Sequence, residues 1–314
     1  MIPYLNRSRR TAIIAHRGAR AYAPENTLAA FQKAINLTAA DAIELDVQRT
    51  ADGIPVVFHD ATLTRTTDAA HKLTPVPSGG YPLHHFTLAQ LQKLDAGRWF
   101  VQAHQAAMQG QDAPDYLTLR LPEELNAYLS TEDLEYYASG AVTIPTLASV
   151  LTWAQGAGIG INIELKPGPS AADTQLAQQV VALVQSHEMA SRTLISSFST
   201  DQLRHVHFFD PALPTALLAD TPLKHVEPYL QTLHATAYHP GCTPPYDALS
   251  PQGEMLISRL QEAGYGVNIW TCNDKLQMAR WIAAGVCGII SDLPNRVRDM
   301  VALHAALPQK KITP

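Results

Sequence analysis

Two periodicities divide the chain. Short apolar runs rich in Ile, Val and Leu predict strands over 12–16, 42–47, 54–58, 161–165, 193–197, 214–218, 235–238, 266–270 and 287–290. Between them, apolar positions recurring every three or four residues predict helices over 26–36, 147–156, 173–187, 200–208, 222–231, 248–262, 274–283 and 295–305. Strand–helix alternation sustained this far indicates a parallel α/β fold. Nine strands are one more than an eight-stranded barrel holds. The turn Thr50-Ala51-Asp52-Gly53 joins the second and third runs and is too short for the crossover that parallel neighbours need. The run 54–58 therefore reads as a hairpin partner outside the parallel count. Eight strands remain, and they predict a (β/α)8 TIM barrel. A doubly wound open sheet is the alternative on strand count alone.

The helical pattern is missing where it is due after strand 42–47, and it resumes only at 147–156. An insertion of about 54–146, after the second strand, accounts for the gap. Its part 101–143 carries seven acidic residues (Asp112, Asp115, Glu123, Glu124, Glu132, Asp133, Glu135) against one basic residue, Arg120. That segment totals −6 of the chain's −5, so the remainder totals +1. It also holds Tyr116, Tyr128, Tyr136 and Tyr137. The loops that follow barrel strands surround the active site. The stretch therefore reads as a solvated cap, with a role for its tyrosines in holding a cationic alcohol as the sharper alternative.

Composition narrows the picture without changing it. At 314 residues and 46% hydrophobic, the chain is expected to form a single catalytic domain, 1–314, around one barrel and its insertion. A net charge of −5 argues against nucleic acid as a partner. No apolar run approaches the length of a membrane span. Arg7, Arg9 and Arg10 are followed by only Ala12, Ile13, Ile14 and Ala15 before His16, too short for a secretory signal. Three cysteines (Cys242, Cys272, Cys287) with no CxxC spacing suggest no disulfide framework. A cytoplasmic location is expected. Gly156-Ala157-Gly158-Ile159-Gly160 precedes a strand instead of following one, so a dinucleotide loop is excluded.

Side-chain alternation then places the candidate chemistry. In Ile43-Glu44-Leu45-Asp46-Val47 the three apolar residues share one face and the two carboxylates the other. If the apolar face meets the helices, Glu44 and Asp46 point into the barrel near the strand's C-terminal end. Two anions there need either a cation between them or ion pairs with Arg or Lys. In Asn162-Ile163-Glu164-Leu165-Lys166, Glu164 and Lys166 point inward by the same rule. Three carboxylates without a Cys–His pattern suit one divalent cation, Mg2+ or Ca2+, better than zinc. Lys166 suits an anion, most naturally a phosphate oxygen. His16 and His59 each end a strand, where barrels carry catalytic groups. Such a pair can deprotonate a nucleophile and protonate a leaving alkoxide. Arg17 is placed for bidentate phosphate contact. Asn26, ahead of Leu28 and Phe31, reads as a helix N-cap, and His205 and His207 as surface residues.

Ala15-His16-Arg17-Gly18, Ala23-Pro24-Glu25-Asn26-Thr27, Glu44-Leu45-Asp46-Val47-Gln48, Asp52 to Asp60 with Leu63-Thr64-Arg65-Thr66-Thr67, Leu94-Asp95-Ala96-Gly97, Ile144-Pro145-Thr146-Leu147, Ile163-Glu164-Leu165-Lys166, Trp270-Thr271-Cys272-Asn273 and Ser291-Asp292 occur in this order along the chain. Together these segments resemble the glycerophosphodiester phosphodiesterase family, cytoplasmic bacterial type. The resemblance implies a (β/α)8 barrel with an insertion after the second strand. It implies metal ligands at Glu44, Asp46 and Glu164, and an acid/base pair at His16 and His59. It implies cleavage of a small glycerophosphodiester to glycerol 3-phosphate and an alcohol. Trp270 and Cys272, inward by alternation, either line the glycerol pocket or fill the barrel. The 43 residues 101–143 depart from the family's usual shorter link, which opens the choice of substrate. The alternatives are lysophospholipase D or sphingomyelinase D-like cleavage, or a catalytically inactive barrel that binds phosphate ligands.

Overall fold

Eight parallel strands close on themselves. They are β1 (Ala12–His16), β2 (Ala42–Arg49), β4 (Gly160–Leu165), β5 (Thr193–Ser197), β6 (Thr215–Ala219), β7 (Ala237–Pro240), β8 (Gly266–Ile269) and β9 (Gly288–Ser291), with β3 (Pro55–Val57) outside the ring. Around the sheet the order is β1-β9-β8-β7-β6-β5-β4-β2, and β1 pairs again with β2 through Ile14 with Ala42 and His16 with Glu44. That pairing makes the sheet a closed TIM barrel and excludes the open one. β3 lies antiparallel on β2, with Val57 opposite Val47. The four-residue turn was therefore read correctly. The computed structural model describes residues 10–306 apart from 169, 222, 244–247, 250 and 251. Arg7 and Arg9, the first residue of the helix expected over 222–231, and residues 250 and 251 of that expected over 248–262 lie outside the described residues.

Outside the ring run the helices Leu28–Thr38, Leu147–Ala157, Ser170–Ser186, Thr200–Phe209, Val226–Leu233, Gly253–Glu262, Lys275–Ala283 and Pro294–Ala306. The outward residues Ile43, Leu45, Val47, Ile161 and Ile163 pack under one group of helices. Ile13, Leu217, Val267, Ile269 and Ile289 pack under another. A separate plug of Ala12, Ile14, Ala42, Leu194, Ala216, Ala237 and Ile290 fills the barrel's interior, with Trp270 against it. On β1 and β2 the inward residues change along the strand from apolar (Ala12, Ile14; Ala42) to polar (His16; Glu44, Asp46). The dry part of the barrel thus supports a charged mouth at the C-terminal ends of the strands.

Several expectations need correction. Asn26 does not cap the first helix. Thr27 does, accepting from the Ala30 amide, while Asn26 sits in the left-handed region at φ 57°. Cys272 packs with the outer cluster, because β8 ends at Ile269 and alternation does not continue past it. Trp270 does face the interior. His205 and His207 are half-buried, and His207 stacks on His234 at 4.4 Å. The stretch 101–143 is largely exposed, as expected of a solvated cap. It folds, with the residues before it, into helices Arg98–Met108, Asp115–Thr118, Pro122–Tyr128 and Thr131–Ala138. Its acidic residues are largely helix N-terminal groups: Glu123 and Glu124 open one helix, and Asp133 completes a capping box with Ser130. A charge-rich segment can thus be structured by its charges. Tyr116 and Tyr137 are buried, and the Tyr137 ring meets Phe100 edge-on at 5.6 Å. Glu124, also buried, accepts from Arg296 Nε and Nη2, each at 2.7 Å, and ties the segment to the last barrel helix.

Candidate active site

The barrel mouth gathers Glu44 and Asp46 from β2 and Glu164 from β4. The register sets Asp46 directly beside Glu164. One oxygen from each carboxylate lies within 4.8 Å of the others, and the residues are 4%, 1% and 8% exposed. Like charges about 4 Å apart at an effective dielectric of about 20 repel by roughly 4 kcal/mol. The cluster shows that strain. Burial and then the charges of Asp46 and Glu164 push the Glu44 carboxyl well above its ordinary range. Burial and Asp46 raise Glu164 likewise. Asp46 is the exception. Burial opposes its charge, yet Arg17 and Lys166 hold it below the usual carboxylate range.

Both readings of the carboxylates therefore find support. Lys166 Nζ sits 2.7 Å from Glu164 Oε1 and 3.4 Å from Asp46 Oδ1, and Arg17 Nε sits 3.1 Å from Asp46 Oδ2. Among the described residues no lysine or arginine side chain pairs with Glu44; it accepts from the Arg17 amide at 3.0 Å, and His16 Nε2 lies 3.8 Å away. Two cations do not balance three buried carboxylates, and the oxygens converge on one point. A hard divalent cation fits this donor set.

The loop after β1 is shaped for its task. Arg17 adopts φ 53° and Gly18 φ 83°. A Cβ on Gly18 would come within 2.7 Å of the Ala30 backbone, so only glycine lets this turn press against the first helix. The left-handed Arg17 turns its amide toward Glu44, while its guanidinium reaches Glu25 Oε1 at 2.9 Å. Asn26, also left-handed, donates to Asp46 Oδ2 at 2.8 Å and accepts from the Asp46 amide. Gln48 Nε2 donates to the carbonyls of Phe58 and Asp60, bracing the segment that bears His59.

Each candidate histidine is backed by an aspartate. His16 Nδ1 lies 2.6 Å from Asp292 Oδ1, and His59 Nδ1 lies 2.6 Å from Asp60 Oδ1. Burial opposes charge on Asp292, but Arg20 and His16 hold it below the usual range. Asp60, with hydrogen bonds from His59 and Arg65 outweighing burial, is lowered to about 2. An aspartate beside Nδ1 favours a proton on that nitrogen in each imidazole. Burial, with help from Arg20, brings His16 down to about 4. The sequence pattern did not mark Asp292, Arg20 or Asp60 as partners of the histidines. No periodic signal links them: Asp292 lies 276 positions from His16.

Trp270 stands on the opposite side of the mouth. It lines a small recess with His16, Glu44, Asn162, Glu164 and Ser196, meets Phe198 edge-on at 5.4 Å, and donates from Nε1 to the His239 carbonyl. The tyrosines of 101–143 build no aromatic cage. Tyr116 is covered by Arg20 at 4.2 Å, and Tyr128 packs on Tyr22 at 5.2 Å.

A closed (β/α)8 barrel with carboxylates and histidines at its C-terminal mouth defines a class, the barrel enzymes that act on small anionic substrates. Comparison with known proteins narrows it. The sequence profile of the glycerophosphoryl diester phosphodiesterase family matches residues 16–296, and the chain belongs to that family. A glycerophosphodiester phosphodiesterase of Caldanaerobacter subterraneus subsp. tengcongensis is 32% identical over 292 residues, 93% of this chain and 98% of that one. One from Bacillus subtilis is 29% identical over 302 residues, covering 91% and 85%. Among solved structures, an Oleispira antarctica phosphodiesterase in complex with the product sn-glycerol-3-phosphate superposes with a TM-score of 0.70 at 26% identity, covering 93% and 97%. A glycerophosphodiester phosphodiesterase of Agrobacterium tumefaciens gives 0.63 at 26%, covering 92% and 99%. The protein is an enzyme of this type, and among the described residues no helix is long and apolar enough to cross a membrane.

Proposed function

We propose that the chain is one catalytic domain that hydrolyses small glycerophosphodiesters to glycerol 3-phosphate and an alcohol by metal-assisted acid–base catalysis. Glu44, Asp46 and Glu164 would hold one divalent cation, Mg2+ or Ca2+. Bound there, it supplies positive charge against the phosphate oxygens. Arg17 and Lys166 flank Asp46 from two sides and are the remaining charges available to the phosphate. Nε2 of one histidine takes a proton from the attacking hydroxyl, either water or the neighbouring glycerol hydroxyl. A new P–O bond forms, the P–O bond to the alcohol breaks, and the other histidine, entering the step as the imidazolium, gives the leaving oxygen its Nε2 proton. Attack by the glycerol hydroxyl gives a cyclic phosphate that water opens with the histidines exchanging roles. Trp270 forms one wall of the recess beside the carboxylates and would face the glycerol part.

The observation that carries this reading is the convergence of three buried carboxylates between two histidines, each oriented by an anionic aspartate. The product complex of the Oleispira relative supports the same product here. A cytoplasmic setting fits Cys242, Cys272 and Cys287, which are buried and in no disulfide. Turnover of His16→Ala and His59→Ala tests the chemistry. Each is expected to lose roughly 10²–10⁴-fold in kcat. A near-normal rate for either removes that residue from the reaction.

A further inference from the structure

Glu25 is the point at which the two histidine arms meet. From His16 the chain of contacts runs to Asp292 (2.6 Å), to Arg20 Nε (2.5 Å from Asp292), and to Glu25 Oε2, 3.7 Å from Arg20 Nη1. From His59 it runs to Asp60 (2.6 Å) and to Arg65, which binds Asp60 through Nε and Nη2 at 2.6 and 2.9 Å. Arg65 then binds Glu25 through Nη1 and Nη2 at 3.1 and 2.7 Å. The two arms have the same sequence of groups, imidazole–aspartate–guanidinium, and share one carboxylate. Arg17 Nη1 reaches that carboxylate as well, at 2.9 Å. Glu25 is 5% exposed.

We propose that Glu25 is a positioning residue that holds both histidines in register through Arg20–Asp292 on one side and Arg65–Asp60 on the other. This rests on the acid–base roles given above to His16 and His59. A buried carboxylate ringed by three guanidinium groups fixes three planar forks at once, and each fork fixes what lies beyond it. Two rings that must exchange a proton with opposite sides of one phosphorus gain from a common reference, because small misplacements cost much of the rate. The segment 101–143 reaches the same point. Tyr116 lies 3.5 Å from Glu25 Oε2 through its hydroxyl, and its ring lies under Arg20.

The experiment compares Glu25→Gln with the parent enzyme, measuring kcat, KM and the downfield imidazole N–H protons by NMR. Glu25→Gln keeps the shape and removes the charge. The expected result is a drop of at least tenfold in kcat with KM changed less than threefold. Both histidine N–H resonances, assigned from His16→Ala and His59→Ala, should shift or broaden. Asp292→Asn should move the His16 signal alone. Arg65→Lys, at a side chain 40% exposed and so tolerant of change, should lower kcat several-fold and move the His59 signal alone. Unmoved resonances with parent kcat in Glu25→Gln, or a loss explained by KM alone, would overturn the proposal. If Glu25→Gln does not fold, Glu25→Asp, which keeps the charge and draws the carboxylate back from the three guanidinium groups, decides by the same criteria. If instead both His→Ala enzymes turn over normally, the acid–base reading itself fails, a different result from a silent Glu25→Gln.

Discussion

At the level of single residues, the site is a set of carboxylates and cations whose positions follow two different kinds of rule. Glu44, Asp46, Glu164 and Lys166 could be placed from strand alternation alone, because a period of two fixes which side chains enter the barrel. The residues that orient the histidines could not. Asp292 reaches His16 across the closure of the ring, and Arg65 lies 40 positions from Glu25, with a helix and two strands between them. Asn26 shows the same limit. Its identity suited a helix cap, yet the local left-handed backbone turned it onto Asp46. Asp292 makes a testable case. Asp292→Asn should reduce kcat by roughly tenfold to a hundredfold, with KM near the parent value, by freeing the His16 ring to adopt the wrong tautomer. Steady-state kinetics with a thermal melt alongside checks this. An unchanged kcat would mean that His16 needs no partner.

Among the elements, the insertion was expected from the missing helix, and its acidity works in two ways. Five of its seven acids are exposed, as expected of a solvated cap, while Glu124 is buried on Arg296 and helix N-termini use others of those charges. Glu124 and Arg296 form the principal tie. Their side chains are each 8% exposed, and removing one partner from such a pair leaves a charge uncompensated, at about 3–5 kcal/mol. Glu124→Ala should therefore lower the urea midpoint by that equivalent. The pH dependence has a definite sign. Although burial opposes it, the Arg296 hydrogen bonds hold the Glu124 carboxyl below its ordinary value of about 4.5. The pair's contribution is thus complete above about 4.5 and is lost as pH falls through the lower folded value. The parent's stability should fall over that acid range more steeply than that of Glu124→Ala. Gly97 marks a second contact, since a Cβ there would collide with the Tyr137 carbonyl. Gly97→Ala should destabilise by about 1–3 kcal/mol, measured by the same denaturation. No change in either variant would mean that the insertion packs more loosely than described.

For the whole molecule, strand counting predicted the barrel because one connection was too short to be a crossover. The pairing of β1 with β2 then closed the ring, a fact that no local pattern contains. Closure places residues from both ends of the chain, His16 and Asp292, in one site, and sets three carboxylates around a point that favours a divalent cation. A cation that binds only the folded state should raise the melting temperature. At a hundredfold excess over its Kd the gain is about 2.7 kcal/mol, a shift on the order of 5 °C. Glu44→Gln should abolish the shift. A melt indifferent to Mg2+ and Ca2+ would speak for the ion-pair arrangement of Lys166 and Arg17 as the working state.

The most direct measurement is glycerol 3-phosphate release from glycerophosphocholine by chelator-treated enzyme, before and after Mg2+ or Ca2+ is restored. The account predicts negligible release in EDTA and recovery with at least one of the two ions. Full release in EDTA would contradict it, leaving the histidines to act on the diester with Arg17 and Lys166 alone.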